Sequence, residues 1–101
     1  MTAKLHPEAD VELLAAAQRY ENESAGLGGQ FLEELTGAFT LIERFPWRFA
    51  KLRHRTGREI RRAILPRFPY AVVYEVRENS CLIVAIAHAH RRPGYWRKRL
   101  D

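Results

Sequence analysis

The chain has 101 residues, 47% of them apolar, a formal net charge of +5 and a single cysteine. That length suits one hydrophobic core, the lone cysteine rules out an intrachain disulfide, and the longest apolar run, seven residues, falls far short of the roughly 18 needed to span a bilayer. The charge is polarised: residues 1–43 carry two basic against eight acidic side chains, and residues 44–101 carry fifteen basic against four acidic. A basic second half attracts nucleic acid or an acidic protein partner, unless it is simply an arginine-rich solvated face.

The N-terminus lacks the apolar stretch and small-residue cleavage site of a secretory signal, so with one cysteine a cytoplasmic protein is expected. Thr2 to His6 alternates weakly, as a short edge strand does. Pro7 suits the first turn of a helix, and Glu8, Asp10 and Glu12 complement its dipole. Leu13, Ala16, Ala17 and Tyr20 recur at helical spacing, which predicts Glu12, Arg19 and Glu23 facing away. Ser24 to Gly29 reads as a glycine-rich stop. A second helix is expected from near Gln30, with Phe31, Leu35, Ala38, Phe39, Ile42 and Phe45 on one stripe, up to Pro46.

Trp47 to Gly57 shows no periodicity and reads as a basic connection. Arg58 to Leu65 reads as a strand broken by Pro66 and Pro69, and Tyr70 to Val76 as a second, with Tyr70, Val72, Tyr74 and Val76 on one face. Arg77 to Ser80 is a polar turn, and Cys81 to Ala87 returns as a third strand, apolar throughout and so buried on both faces. Cys81 itself reads as a small core residue. From Pro93 the chain is short and basic, with room for a helical turn. The predicted order is β-α-α-β-β-β, an α+β fold of one domain over 1–101. Its N-terminal helix hairpin packs on one face of a small, mainly antiparallel sheet, and a basic C-terminal tail follows.

The third strand ends where the anion-gripping side chains begin. His88 and His90 stand two apart with no carboxylate near them in sequence, which falls short of the three or four ligands of a metal site, so neither metal nor other cofactor is expected. Cys81 and His88 would lie more than about 20 Å apart on a regular strand, too far for a nucleophile and its base. Gly26 to Gly29 lacks the Lys and Ser/Thr of a phosphate loop.

What remains is a constellation of Arg58, Arg61, Arg62, Arg91, Arg92 and Arg97 with Tyr95 and Trp96, able to grip phosphate and present a π surface to a target. His88 with Arg61, Arg91 and Tyr95 also forms a possible metal-free ribonuclease set: a base for the ribose 2′-hydroxyl, cations for the phosphorane and an acid for the leaving oxygen. Against both stands a structural role, in which Tyr95 and Trp96 pack the tail onto the sheet and His88 is a hydrogen-bonded strand-end residue.

Phe68-Pro69-Tyr70-Ala71-Val72-Val73-Tyr74, Ile83 to His88 and His90-Arg91-Arg92-Pro93-Gly94-Tyr95-Trp96 together resemble the RelE/ParE superfamily of type II toxin–antitoxin toxins, often labelled plasmid stabilisation proteins. The likeness covers nearly the whole chain in the order of its elements. It implies a bacterial toxin held by a cognate antitoxin, without a membrane partner. It also implies one of two targets: DNA gyrase, bound and poisoned by ParE-like members, or ribosome-bound mRNA, cut by RelE-like endoribonucleases. The ending His88, Arg91, Pro93, Tyr95, Trp96 is similar to the ParE-like form, and lysines, frequent in the nuclease sites, are scarce. Gyrase inhibition by binding is therefore the expectation, the endoribonuclease its alternative, and a non-toxic nucleic-acid-binding protein a third reading that rests on charge.

Overall fold

The computed structural model describes residues 1–53 and 57–100. Along the chain lie β1 (Thr2–Leu5), α1 (Pro7–Glu23), α2 (Leu27–Arg44), β2 (Ala50–Leu52), β3 (Glu59–Ile64), β4 (Tyr70–Val76), β5 (Ser80–His88) and a short 3-10 helix (Arg97–Leu100). The five strands form one sheet in the order β1-β5-β4-β3-β2. β1 runs parallel to β5 and every other pair is antiparallel. An α+β fold with an N-terminal helix hairpin is what the sequence predicts.

α1 starts as a proline-led helix should, and the imidazole of His6 accepts the Glu8 N–H at 3.1 Å in place of a hydroxyl cap. α2 begins three residues earlier than its apolar stripe implies, taking Leu27–Gly29 into its first turn. Two features permit this. The Glu21 carboxylate accepts from the N–H groups of Gly26 and Gly28, satisfying donors that a helix start leaves open. Gly28 also lets the helices touch, since a Cβ there would stand 2.6 Å from the Ala17 carbonyl oxygen. Phe45, expected on the buried stripe, is instead the exposed C-cap residue of α2: its backbone has left the helix, so its side chain leaves the stripe.

β2 is one strand more than the sequence predicts. It has no pattern of its own because it is a three-residue edge, held by pairing Ala50–Leu52 with Ile60–Arg62. Arg61 adds bonds from its guanidinium to the carbonyls of Trp47 (3.2 Å) and Phe49 (2.7 Å). Residues 54–56 of the predicted basic connection lie outside the described residues.

Between β4 and β5 the register slips: Val73 faces Ala85 and Tyr74 faces Ile83, leaving Val84 as the extra residue of a β-bulge. The slip changes the phase of β5. Cys81, Ile83 and Ile86 join the core under the helices, while Val84 and Ala85 join a second core on the other face. That is why the run from Cys81 to Ala87 carries no polar alternation. Cys81 is buried, and burial pushes its thiol pKa up, as a core cysteine's should be.

The helix-side core centres on Tyr20, Phe31, Phe68 and Tyr70, with ring centroids 4.9–5.2 Å apart in the tightest pairs. Tyr74, fully buried, donates to the Pro46 carbonyl at 2.6 Å and fastens the end of the hairpin to the sheet. The second core is smaller: Ile60, Val73, Val84 and Ala85 covered by Trp96 and Leu100 of the tail. The basic tail is thus partly a lid on the sheet.

Candidate functional site

The tail is folded by local turns. Its start is tied to the segment before β4 by the Ala89 N–H donating to Pro69 O; beyond that Arg91 N–H donates to His88 O and Tyr95 N–H to Arg92 O, and Gly94 takes a φ of 78° that an L side chain would resist. These turns bring Tyr95, Trp96 and Arg99 back against β5. Pairing with β1 stops at Ile83, so beyond it the edge of β5 has backbone groups to satisfy. Glu12 of α1 accepts the Ile86 N–H at 3.0 Å, and the Arg99 guanidinium donates to the Val84 carbonyl at 3.1 Å.

The same two side chains hold each other through bonds of 2.7 and 2.9 Å, and the Tyr95 hydroxyl donates to Glu12 at 2.6 Å. Burial alone would raise the Glu12 pKa, but bonds from Arg99, Tyr95 and Ile86 outweigh it and hold the carboxyl below its ordinary value. Burial and the Glu12 carboxylate both push the Tyr95 hydroxyl well above the ordinary tyrosine range. Helical periodicity had turned Glu12 and Arg19 to solvent. In the fold Glu12 is half-buried, because the tail covers a side of α1 that the sheet does not, while Arg19 is exposed as its spacing predicts and donates to the Tyr70 hydroxyl.

Two clefts flank Tyr95. One, of about 430 Å³, lies between α1 and the end of β5 and is lined by Glu12, Arg19, Tyr70, His88, His90, Arg91 and Tyr95. There the His88 ring stands edge-on to Tyr70 at 5.0 Å and lies 5.2 Å from His90. The other, of about 300 Å³, opens on the tail-covered face of the sheet, with Arg53, Arg62, Arg91, Arg92 and Arg97 in its lining. Arg91 borders both and stacks its guanidinium 3.8 Å over the Tyr95 ring.

The residues singled out from sequence therefore separate. Arg62, Arg91, Arg92 and Arg97 share the second cleft; His88 borders both clefts. Arg58 bonds to Glu75 at 3.1 Å, and Arg61 pairs with Glu59 at 2.8 Å besides its two carbonyls. Trp96 is buried in the second core, its surface committed to that cluster rather than to solvent. Among the described residues no group of three or more His, Cys, Asp or Glu gathers as metal ligands would.

A family model described as the ParE toxin of type II toxin–antitoxin systems, parDE, matches residues 3–93. The chain belongs to the ParE toxin family. A solved structure of a chromosomal ParDE toxin–antitoxin system from P. aeruginosa has the same fold, with a TM-score of 0.72 at 16% identity over 89% of this chain and 97% of that one. No curated protein matches. Membership makes the chain a toxin whose partner is a cognate antitoxin, and among the described residues no helix is long and apolar enough to cross a membrane.

Four residues of this ParE-family toxin's site escape a reading by sequence. Arg53 sits in the stretch without periodicity, so nothing marked its side. Glu12 and Arg19 carried one usable signal: with the small, buried Ala16 they fall at i, i+4 and i+7 along one stripe of α1, as a contact face would. Arg99 is hidden among Arg97 and Lys98, and only its carboxylate partner distinguishes it from them.

Proposed function

We propose that the toxin acts by binding DNA gyrase, in the cytoplasm, and performs no bond cleavage of its own. The observation that carries this reading is the state of Tyr95. A ribonuclease needs a side chain ready to exchange a proton, whereas this hydroxyl is bonded to Glu12, and burial and that carboxylate raise its pKa further from neutral pH and hold its proton in place. Arg61, the other member of the nuclease set drawn from β3, spends its donors on Glu59, Trp47 and Phe49. Arg62, Arg92 and Arg97 are exposed and, among the described residues, pair with no carboxylate, which suits recognition. Exposed apolar residues at the far end of the hairpin, Leu41, Phe45 and Trp47, offer the antitoxin a surface to bury.

The experiment is a supercoiling assay with purified gyrase and toxin. Loss of supercoiling with accumulation of cleaved plasmid is expected, and full supercoiling at saturating toxin would refute the reading. One observation favours the second reading, a ribosome-dependent endoribonuclease: His88 and His90 share a cleft with Arg19 and Arg91, a possible acid–base pair beside cations. Codon-specific mRNA cuts in a translating extract, lost in His88→Gln, would establish it instead.

A further inference from the structure

Of the eleven arginines among the described residues that line the two clefts or form ion pairs, five are already spent on carboxylates, Arg58, Arg61, Arg67, Arg77 and Arg99, and Arg19 of the first cleft donates to the Tyr70 hydroxyl. The other five, Arg53, Arg62, Arg91, Arg92 and Arg97, line one groove. They arrive from three parts of the chain: the exit of β2, the outward side of β3 and the turn-rich tail. None of the described residues lining this groove is acidic, and none of the five has a carboxylate partner among the described residues. Five exposed guanidinium groups around about 300 Å³ repel one another through water and salt, and an anion with several charges relieves that repulsion more than single counterions do.

We propose that this groove binds the phosphate backbone of duplex DNA. Arginine recognises phosphate through paired N–H donors, and five of them along a groove match a repeating anion better than a single one. The aromatic residues decide between double and single strands. A single-strand site presents bare rings on which bases stack. Tyr95 and Trp96 do border this groove, but Arg91 stands 3.8 Å over the Tyr95 ring with Arg99 5.1 Å from it, and Trp96 is buried at 5% exposure, so neither offers a bare ring as a stacking platform and what the groove presents is cations. Backbone contact to a closed duplex needs no more than that. The inference deepens the gyrase reading, on which it rests only for the choice of DNA: the toxin would touch the DNA that gyrase holds as well as the enzyme.

The test is fluorescence anisotropy of a labelled 20-base-pair duplex with the full-length toxin between 50 and 200 mM salt. If all five arginines meet phosphates, log affinity falls against log salt with a slope of about −4.5, or about 500-fold over that range. Arg62→Ala and Arg92→Ala should each make the slope shallower by about 1, while Arg44→Ala, an exposed arginine on α2, leaves it unchanged. Circular dichroism of the variants checks that they fold. A slope shallower than about −2, equal effects of all three substitutions, or tighter binding of a single strand or a polyglutamate peptide than of the duplex would each overturn the proposal. Gyrase inhibition by a toxin without duplex affinity rejects the groove's ligand and spares the gyrase reading. Duplex affinity without gyrase inhibition does the reverse.

Discussion

The two faces of the sheet are held by different physics. The helix side is a wide apolar layer in which Phe31, Leu35, Ile42, Val72, Tyr74 and Ile83 are each 1% exposed or less, and no single polar contact dominates it. The tail side has six buried residues among those described, and its cover, Trp96 and Leu100, is tied down chiefly by one carboxylate on the opposite layer, that of Glu12, with the exposed Glu8 3.6 Å from Arg99. A broad layer loses stability in proportion to the atoms removed, while a hub fails as a unit. Stability is thus spread on one side and concentrated on the other, and the concentrated side is the one that carries the free arginines.

The largest effect should come from the broad layer. Phe31→Ala, at the centre of three aromatic contacts, is expected to cost about 4 kcal/mol in chemical denaturation. Glu12→Ala should cost about 3 kcal/mol, because it takes the nearer carboxylate from the Arg99 guanidinium and strands the Tyr95 hydroxyl and the Ile86 N–H. The two losses should differ in kind. Only Glu12→Ala should shift the emission of buried Trp96 to the red while leaving helix content intact, and a uniform loss of helix signal instead would break the contrast between the faces.

Acid sharpens the same contrast. The Glu12 carboxyl is depressed in the folded state, so its contribution is fully present above its ordinary value of 4.5 and is lost as pH falls towards the folded value. Glu12→Gln should flatten the acid limb of the stability curve; an unchanged acid limb would mean that other carboxylates govern it. Smaller still is Tyr74→Phe, about 1 kcal/mol from the hydrogen bond to Pro46. Burial pushes the Tyr74 hydroxyl up to about 12, so wild-type stability should fall between its ordinary value of 10 and that value, and the variant should be spared this loss. Smallest is Arg62→Ala, which touches no described carboxylate and should change stability by less than about 0.5 kcal/mol. A larger loss would show that the groove arginines also support the fold.

Much of the fold is legible in the sequence because it is periodic. Tyr70–Val76 alternates and forms β4 at those bounds, and the stripe from Phe31 to Ile42 packs as its spacing predicts. β2 is not legible, since its pairing is dictated by β3 and by Arg61 rather than by its own side chains. The tail divides in the same way. Its arginines are visible as a cluster, yet which of them are free depends on carboxylates distant in the chain, such as Glu12, 87 residues from Arg99. Helical spacing could place Glu12 off the sheet but had no means of knowing that the tail returns to cover it.

The pairing of β1 with β5 has a consequence for how the toxin comes into being. Thr2 to Leu5 are made well before the strand they lie against, from Ser80 to Ile83, and Arg99 reaches Glu12 later still. While it is being translated the molecule can form its helix hairpin, whose contacts are local, but not the finished sheet. A nascent copy that has not yet reached Arg99 is therefore without its completed arginine groove, and the native toxin surface arises only once the segment from Arg91 to Arg99 has been made.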